Sequence, residues 1–414
     1  MEPVIKRSLW IINQHAPGPG RHEYFARELV SRGWRVTLFA ASFVHNYGIE
    51  RRRYPPGCDW LQEDAAGVKR VWIKTPVYRG NGLARLYNHL VFALRAGRVG
   101  IGLEPPDMVI GSTAHLPACL AAYRLARRHG APFIFEMRDF SPRALVDIGA
   151  VSRFNPLVGC MGALEKYLCR KARRIISVLP GGGDYVSLIG ADASRVTHIP
   201  NGVDPGWFDR HAAAIKPHSW EARFFQQHSD SVVFTYSGAH GYANGLETVV
   251  EAAVLLQQAG VKGIHILLVG SGPAKDGLVR AARENGLTNV TFMPPVAKDR
   301  VPAILARSGV CIFHLRNSRA YRYGLSPNKL YEYMAAARPI IAAADNLPVP
   351  DFSRFGRHVP SDDPRALAGA MIDMGYMSGE TRAKLGQGGR IYFERFHAAP
   401  VLVDKLEALL LGVG

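Results

Sequence analysis

Short, continuously apolar segments alternate with helical patterns along the whole chain, and the series starts afresh once. Apolar strand patterns fall at 9–12, 34–40, 108–110, 132–135 and 174–179, with helical patterns at 23–32, 116–129 and 157–172 between them. After Asn201-Gly202 the strands resume at 231–236, 264–269, 290–293, 310–315 and 339–343, with helices at 245–259, 274–285, 299–307 and 326–336. Strands that do not alternate between polar and apolar residues are buried on both faces. With helices between them, that means parallel sheets covered on both sides. The expected class is therefore α/β, with two Rossmann-like domains facing each other across a cleft. The boundaries expected are 1–204 for the first domain and 205–390 for the second. The polar stretch 205–230 contains the linker, and 391–414 carries a last helical pattern.

The chain has 414 residues, enough for two or three domains. Hydrophobic residues make up 48% and charged residues 21%, which excludes a mainly disordered chain. The net charge is +17, and it is uneven: residues 1–200 hold 28 basic and 15 acidic side chains, the remainder 23 and 19. Such an excess suits a polyanionic partner, met by the N-terminal half. Five scattered cysteines form no Cys-x-x-Cys pair, so neither a zinc framework nor a disulfide scaffold is expected, and a reducing cytoplasm fits. Lys6-Arg7 precedes an apolar stretch too short for a secretion signal. No apolar run approaches the about 20 residues of a spanning helix. The expectation is a cytoplasmic protein that can lie on a membrane without crossing it.

Several segments carry chemistry. In 326–339, Ser326 and Pro327 resemble an N-cap and first helical residue, and a helix N-terminus suits a phosphate. Lys329 sits in the first turn, where a cation opposes the helix dipole unless an anion lies there. Asn328 and Leu330 flank it, and Glu332, one turn on, can accept hydrogen bonds from a ribose. The plain alternative is a well-capped surface helix. In 236–247 a strand runs into a loop holding Gly238, His240, Gly241, Asn244 and Gly245, where glycines let a ligand approach the backbone. Gly18 and Gly20 occupy the corresponding loop of the first domain, at the strand ends where ligands bind in such folds. Arg138 and Asp139 follow a strand in the same domain; read alone, they would form a surface ion pair.

Residues 65–103 hold seven Lys/Arg (Lys69, Arg70, Lys74, Arg79, Arg85, Arg95, Arg98) and no acid. Within them Leu83, Leu86, Tyr87, Leu90, Val91 and Leu94 form an amphipathic stripe. The stripe fits either an anionic membrane surface or the protein core with a solvated basic face.

Taken together, Ile199-Pro-Asn-Gly-Val-Asp204, Gly270-Ser-Gly-Pro273, the 326–339 segment and the two-domain pattern resemble a GT-B glycosyltransferase of family 4. The likeness spans almost the whole chain. It is strongest in 326–339, which resembles the subgroup of bacterial O-antigen L-fucosamine transferases. Arg138-Asp139 resembles that subgroup's Arg-Asp-Leu-Trp-Pro segment, here continued by Phe140-Ser-Pro142. The resemblance implies retaining transfer of a hexose or N-acetylhexosamine from a nucleotide-diphosphate sugar, with UDP preferred. The acceptor implied is a lipid-linked or other saccharide of bacterial surface polysaccharide synthesis, at the inner leaflet of the plasma membrane. It also implies that the C-terminal helix packs back on the first domain. Of the family's two glutamates separated by seven intervening residues, Glu332 matches the second, and Gly324 stands at the first. Asp139 falls where many members carry a histidine.

No Asp-x-Asp occurs, so no metal or other cofactor is expected, and cations must stabilise the leaving diphosphate. Lys329 is the first candidate, with Arg316, Arg319 and Arg322 as helpers. Candidate catalytic residues are Asp139, Arg138 and Lys329. Candidate donor-binding residues are Gly18, Gly20, Gly238, His240, Gly241, Asn244, Gly270, Ser326, Pro327, Asn328, Leu330 and Glu332. Two other readings stay open: a nucleotide-sugar 2-epimerase of the same fold, and a basic nucleic-acid-binding protein. The second lacks an RRM, KH or helix-turn-helix signature, so no nucleic-acid partner is expected.

Overall fold

The computed structural model describes the chain except residues 1–6, 17–19, 45–47, 79, 81, 114, 150, 215–216 and 414. It divides into two units. The first comprises Met1–Pro200, Arg322–Ser326 and Ala399–Gly414; the second comprises Asn201–Tyr321 and Pro327–Ala398.

The first unit contains β1 (Ser8–Ile12), β2 (Arg35–Ala41), β3 (Phe43–Val44), β4 (Ile49–Glu50), β5 (Trp60–Ala65), β6 (Val68–Ile73), β7 (Met108–Ser112), β8 (Phe133–Met137), β9 (Arg174–Ser177) and β10 (Val196–His198). Eight of them form one sheet in the order β10-β9-β8-β7-β1-β2-β6-β5, while β3 and β4 pair separately. All neighbours in the large sheet are parallel except β5 and β6. The burial of β1 explains its unbroken apolar sequence. Trp10 and Ile12 enter a core with Phe92 and Cys119, whereas Leu9 and Ile11 enter another with Phe25 and Leu402. Both faces of the sheet are therefore covered.

The second unit contains β11 (Val232–Ser237), β12 (Ile264–Val269), β13 (Val290–Met293), β14 (Val310–His314), β15 (Ile340–Ala343) and β16 (Gly356–Val359). They form an all-parallel sheet in the order β13-β12-β11-β14-β15-β16. Among the parallel strands of each sheet, the strand order reverses between β1 and β7 and between β11 and β14. The carboxyl ends of strands at such a reversal are where ligands bind in open α/β sheets.

Several expectations need correction. The stretch 205–230 is not irregular: it forms helices Pro205–Ala213 and Trp220–Gln227. Their caps were present in the sequence. Asp204 accepts from the Trp207 N–H at 2.9 Å, and Ser219 from the Ala222 N–H at 3.3 Å. The last helical pattern, expected over 391–414, falls on two helices, Gly379–Phe396 in the second unit and Ala399–Leu411 in the first. Glycines and charges conceal the earlier of these in sequence. The β5–β6 hairpin was also missed, because β5 is an edge strand carrying Gln62, Glu63 and Asp64.

The amphipathic helix spans Leu83–Ile101, and its apolar stripe is not a core stripe. Asn88, Phe92, Ala96, Val99 and Gly100 are the buried residues. Leu83, Tyr87, Leu90, Leu94 and Ile101 are exposed, Leu83 by 83%. No helix among the described residues is long and apolar enough to cross a membrane.

Leu402, on the last helix, is fully buried beside Leu9 and Ile11. Leu402→Ala should cost the first unit about 2–5 kcal/mol, read as a lowered urea midpoint. An unmoved midpoint would show that this helix is not part of that core.

Candidate functional site

In the second unit, the loop after β11 and the helix after β14 meet at the strand reversal. The helix spans Asn328–Ala335, with Pro327 at its N-cap and no side chain capping it. The sequence reading placed the cap one residue earlier, at Ser326, which groups with the first unit. Tyr333 anchors the helix, its hydroxyl accepting from the Ser237 N–H at 3.1 Å. Leu330 is fully buried, so its side chain contributes packing.

This anchoring brings Lys329 over the glycine loop. Its Nζ donates to the Tyr236 hydroxyl at 2.5 Å and to Asn244 Oδ1 at 2.7 Å, and lies 4.4 Å from the Tyr236 ring centroid. Gly238, at φ +153°, makes room for it: a Cβ there would lie 2.9 Å from Lys329 Cε. The loop is fixed from the other side by His314, whose ring meets the Asn244 carbonyl at 2.8 Å. Desolvation pushes the Lys329 ammonium down to about 7, although nearby Glu332 works against the shift.

His240 is buried, and its backbone N–H donates to the Ser271 carbonyl at 2.8 Å, joining the Gly238 and Gly270 loops. Burial, then the Lys275 and Lys329 charges, push its imidazole down to about 4. A hydrogen bond to the Val269 backbone works against that shift. Glu332 forms an ion pair with Lys298, a residue that sequence reasoning missed. Lys298 lies just beyond β13, and its place at a strand's carboxyl end was the only available signal. Gly241 and Asn328 border the same region, Asn328 exposed.

The arginines proposed as helpers go elsewhere. Arg316 pairs with Glu247 at 3.0 Å, and Arg322 with Asp147 at 2.8 Å. Arg319 lies in a short 3-10 turn, Arg319–Tyr321. The structure also accounts for the missing first glutamate. Residues 322–326 belong to the first unit, where Tyr323 packs edge-on against Phe140 and Tyr185. At Gly324 φ is +90°, and a Cβ there would collide with the Pro180 ring. Glycine is what this backbone admits.

In the first unit, Arg138 and Asp139 follow β8, as expected. The Arg138 N–H donates to Thr113 Oγ1 at 2.8 Å, and its Nε has no partner among the described residues. Asp139 is exposed; surrounding protein pushes its carboxyl up, and Arg138 opposes the shift. Below them Phe140 stacks on Tyr185 at 4.1 Å, and the Tyr185 hydroxyl donates to buried Glu165 at 2.6 Å. Desolvation pushes Glu165 up to about 8. Gly20 is the N-cap of helix Arg21–Ser31, while Gly18 lies outside the described residues.

The Lys329 shift implies a pH signature. The unfolded chain holds a proton that the folded site does not between about 7 and the ordinary 10.5, so stability rises with pH across that window. In Lys329→Met this rise should vanish, and the nucleotide-free melting temperature near pH 7 should increase. An unaltered pH profile would contradict the desolvated state of this lysine.

Comparisons with known proteins agree with this architecture. The "Glycosyl transferase 4-like domain" family matches residues 18–202, and the "Glycosyl transferases group 1" family matches residues 231–375. The chain is 24% identical over 293 residues to WcaI of Escherichia coli (strain K12), a protein named for a colanic acid biosynthesis glycosyl transferase, covering 69% of this chain and 70% of that one. It is 27% identical over 176 residues to the O-antigen chain mannosyltransferase C of Escherichia coli, covering 41% and 44% respectively. Among solved structures, Anabaena HepE in complex with UDP and glucose superposes with a TM-score of 0.68 at 12% identity, over 98% of this chain and 100% of that one. Sucrose-phosphate synthase from Thermosynechococcus elongatus gives 0.73 at 17% identity, over 99% of each chain. With these matches added to two parallel-sheet units and a lysine held at a strand reversal, the chain is a glycosyltransferase of the GT-B fold, with a family 4-like first domain and a group 1 second domain.

Proposed function

We propose that the chain transfers a hexose or N-acetylhexosamine, with retention of configuration, from a UDP-sugar to a lipid-linked or other saccharide acceptor in bacterial surface polysaccharide synthesis. The observation that carries this reading is Lys329, held part-buried against Tyr236 and Asn244 at the start of a helix. A cation placed there answers the charge that develops on a leaving diphosphate, and the helix dipole adds to it. Binding a diphosphate restores the proton that burial weakens, so the ammonium is fully charged when the sugar departs. Glu332 takes the ribose hydroxyls, in competition with Lys298. HepE, of the same fold, was solved with UDP and glucose. Arg138 and Asp139 serve the acceptor side.

UDP should raise the melting temperature of the wild-type chain without added metal, by mass action. Lys329→Ala should lower kcat about 10²–10³-fold, the loss expected on removing one transition-state charge stabiliser. Glu332→Gln should weaken UDP binding about tenfold. Unchanged kcat and unchanged UDP affinity would remove both residues from the donor site.

The acceptor's lipid gives the exposed stripe of helix Leu83–Ile101 a use. Leu83, Tyr87 and Leu94 stand in solvent within the acid-free basic region, a combination suited to an anionic leaflet. Arg79 lies outside the described residues, and Arg95 pairs with Asp59 at 2.8 Å, so the apolar residues make the cleaner test. Replacing Leu83, Tyr87 and Leu94 by serine should abolish sedimentation with phosphatidylglycerol vesicles. Retained binding would place the membrane contact elsewhere.

A further inference from the structure

Three histidines far apart in sequence converge at the strand reversal of the first unit. His15 follows β1, His115 follows β7, and His89 projects from helix Leu83–Ile101. One ring nitrogen from each can be chosen so that all three lie within 4.8 Å of one another. The His89 and His115 rings stack, 3.4 Å between centroids and 22° from parallel. His15 meets His115 edge-on at 4.5 Å and His89 at 6.4 Å. His115 is buried, and the other two are half-buried.

The surrounding polar groups hold this arrangement in place. Gln14 Nε2 donates to Asn88 Oδ1 at 2.5 Å, tying together the residues next to His15 and His89. Asn88 in turn donates to the Pro76 carbonyl at 2.6 Å. The His15 N–H donates to Asn13 Oδ1 at 2.8 Å, and Asn13 Nδ2 reaches Ser112 Oγ at 3.4 Å, at the end of β7. Buried side chains thus tie the segment after β1 both to helix Leu83–Ile101 and to the end of β7. These bonds fix the segments that carry the histidines rather than the imidazoles themselves.

From this geometry we infer that His15, His89 and His115 form a site for a divalent transition metal of the zinc class. Three imidazoles without a carboxylate in the set are borderline nitrogen donors, which favour Zn²⁺, Co²⁺, Ni²⁺ or Cu²⁺ over Mg²⁺ or Ca²⁺. Coordination needs the two stacked rings to fan apart so that one nitrogen of each points at a shared centre. Three protein ligands leave at least one position open, the pattern of a site that also takes water or a ligand oxygen. The missing Asp-x-Asp motif bears only on carboxylate-held metals. The inference stands apart from the donor-site reading, since no residue is shared between them.

The test uses the full chain, stripped with chelator and titrated with CoCl₂. One equivalent should produce the visible d–d bands of nitrogen-coordinated Co²⁺, and one equivalent of Zn²⁺ should bleach them and raise the melting temperature. Loss of an outer-shell partner costs about 10–100-fold in metal affinity, so loss of a ligand in His89→Gln should cost at least as much. His89 is half-buried on a helix, and a circular dichroism spectrum matching wild type would establish that the variant folds. His115→Gln provides a second removal. Absence of the bands, or bands that persist unchanged in both variants, would overturn the site.

Discussion

Holding an ammonium group against a tyrosine hydroxyl and an asparagine carbonyl, partly stripped of water, costs free energy that those two contacts do not return in full. Lys329 is in that position, and its proton is correspondingly weakened, to about 7. The neighbouring structure maintains it. Gly238 clears the space, Tyr333 anchors the helix, and His314 holds the loop that carries Asn244. Under the proposed function, a diphosphate arriving at this point would add counter-charge beyond that of Glu332. On the proposed reading this is a strained electrostatic arrangement that the donor would relieve.

The first unit solves a related problem without a ligand. Glu136, at the end of β8, is fully buried, and burial alone would neutralise it. Arg21 at 2.8 Å and His22 overcome that cost and hold the carboxyl well below its usual range. Arg21 also donates to the carbonyls of Ile199 and Pro200, fastening the start of the first helix to the end of the unit's main segment. Arg21 and His22 open the helix that follows β1. In the same unit, the histidine cluster and the Gln14–Asn88 bond lie by the strand reversal. The contrast between the units is physical: one buries a charge with its partner, the other leaves a cation waiting for one.

Much of the fold was legible because it depends on periodicity. Largely apolar runs such as 264–269 and 310–315, each interrupted by one histidine, have few readings other than a doubly covered strand. Elements governed by something else were hidden. The polar edge strand Trp60–Ala65 and the glycine-bearing helix Gly379–Phe396 owe their states to tertiary packing, which overrides local propensity. In the donor region, Lys329 and Gly238 stood out, because a cation at a helix start and a glycine after a strand are local anomalies. Lys298 and the three histidines carry no such mark, since only the sheet brings their distant segments together. The apolar stripe of helix Leu83–Ile101 was visible as a stripe, but sequence alone could not say which way it faced.

The protonation of Lys329 can be observed directly. In the full chain labelled with ¹³Cε-lysine, the Lys329 resonance, assigned through Lys329→Arg, can be followed against pH with and without UDP. The account predicts a titration near 7 in the free protein, shifted upward by UDP. A titration near the ordinary lysine value, or one indifferent to UDP, would contradict it.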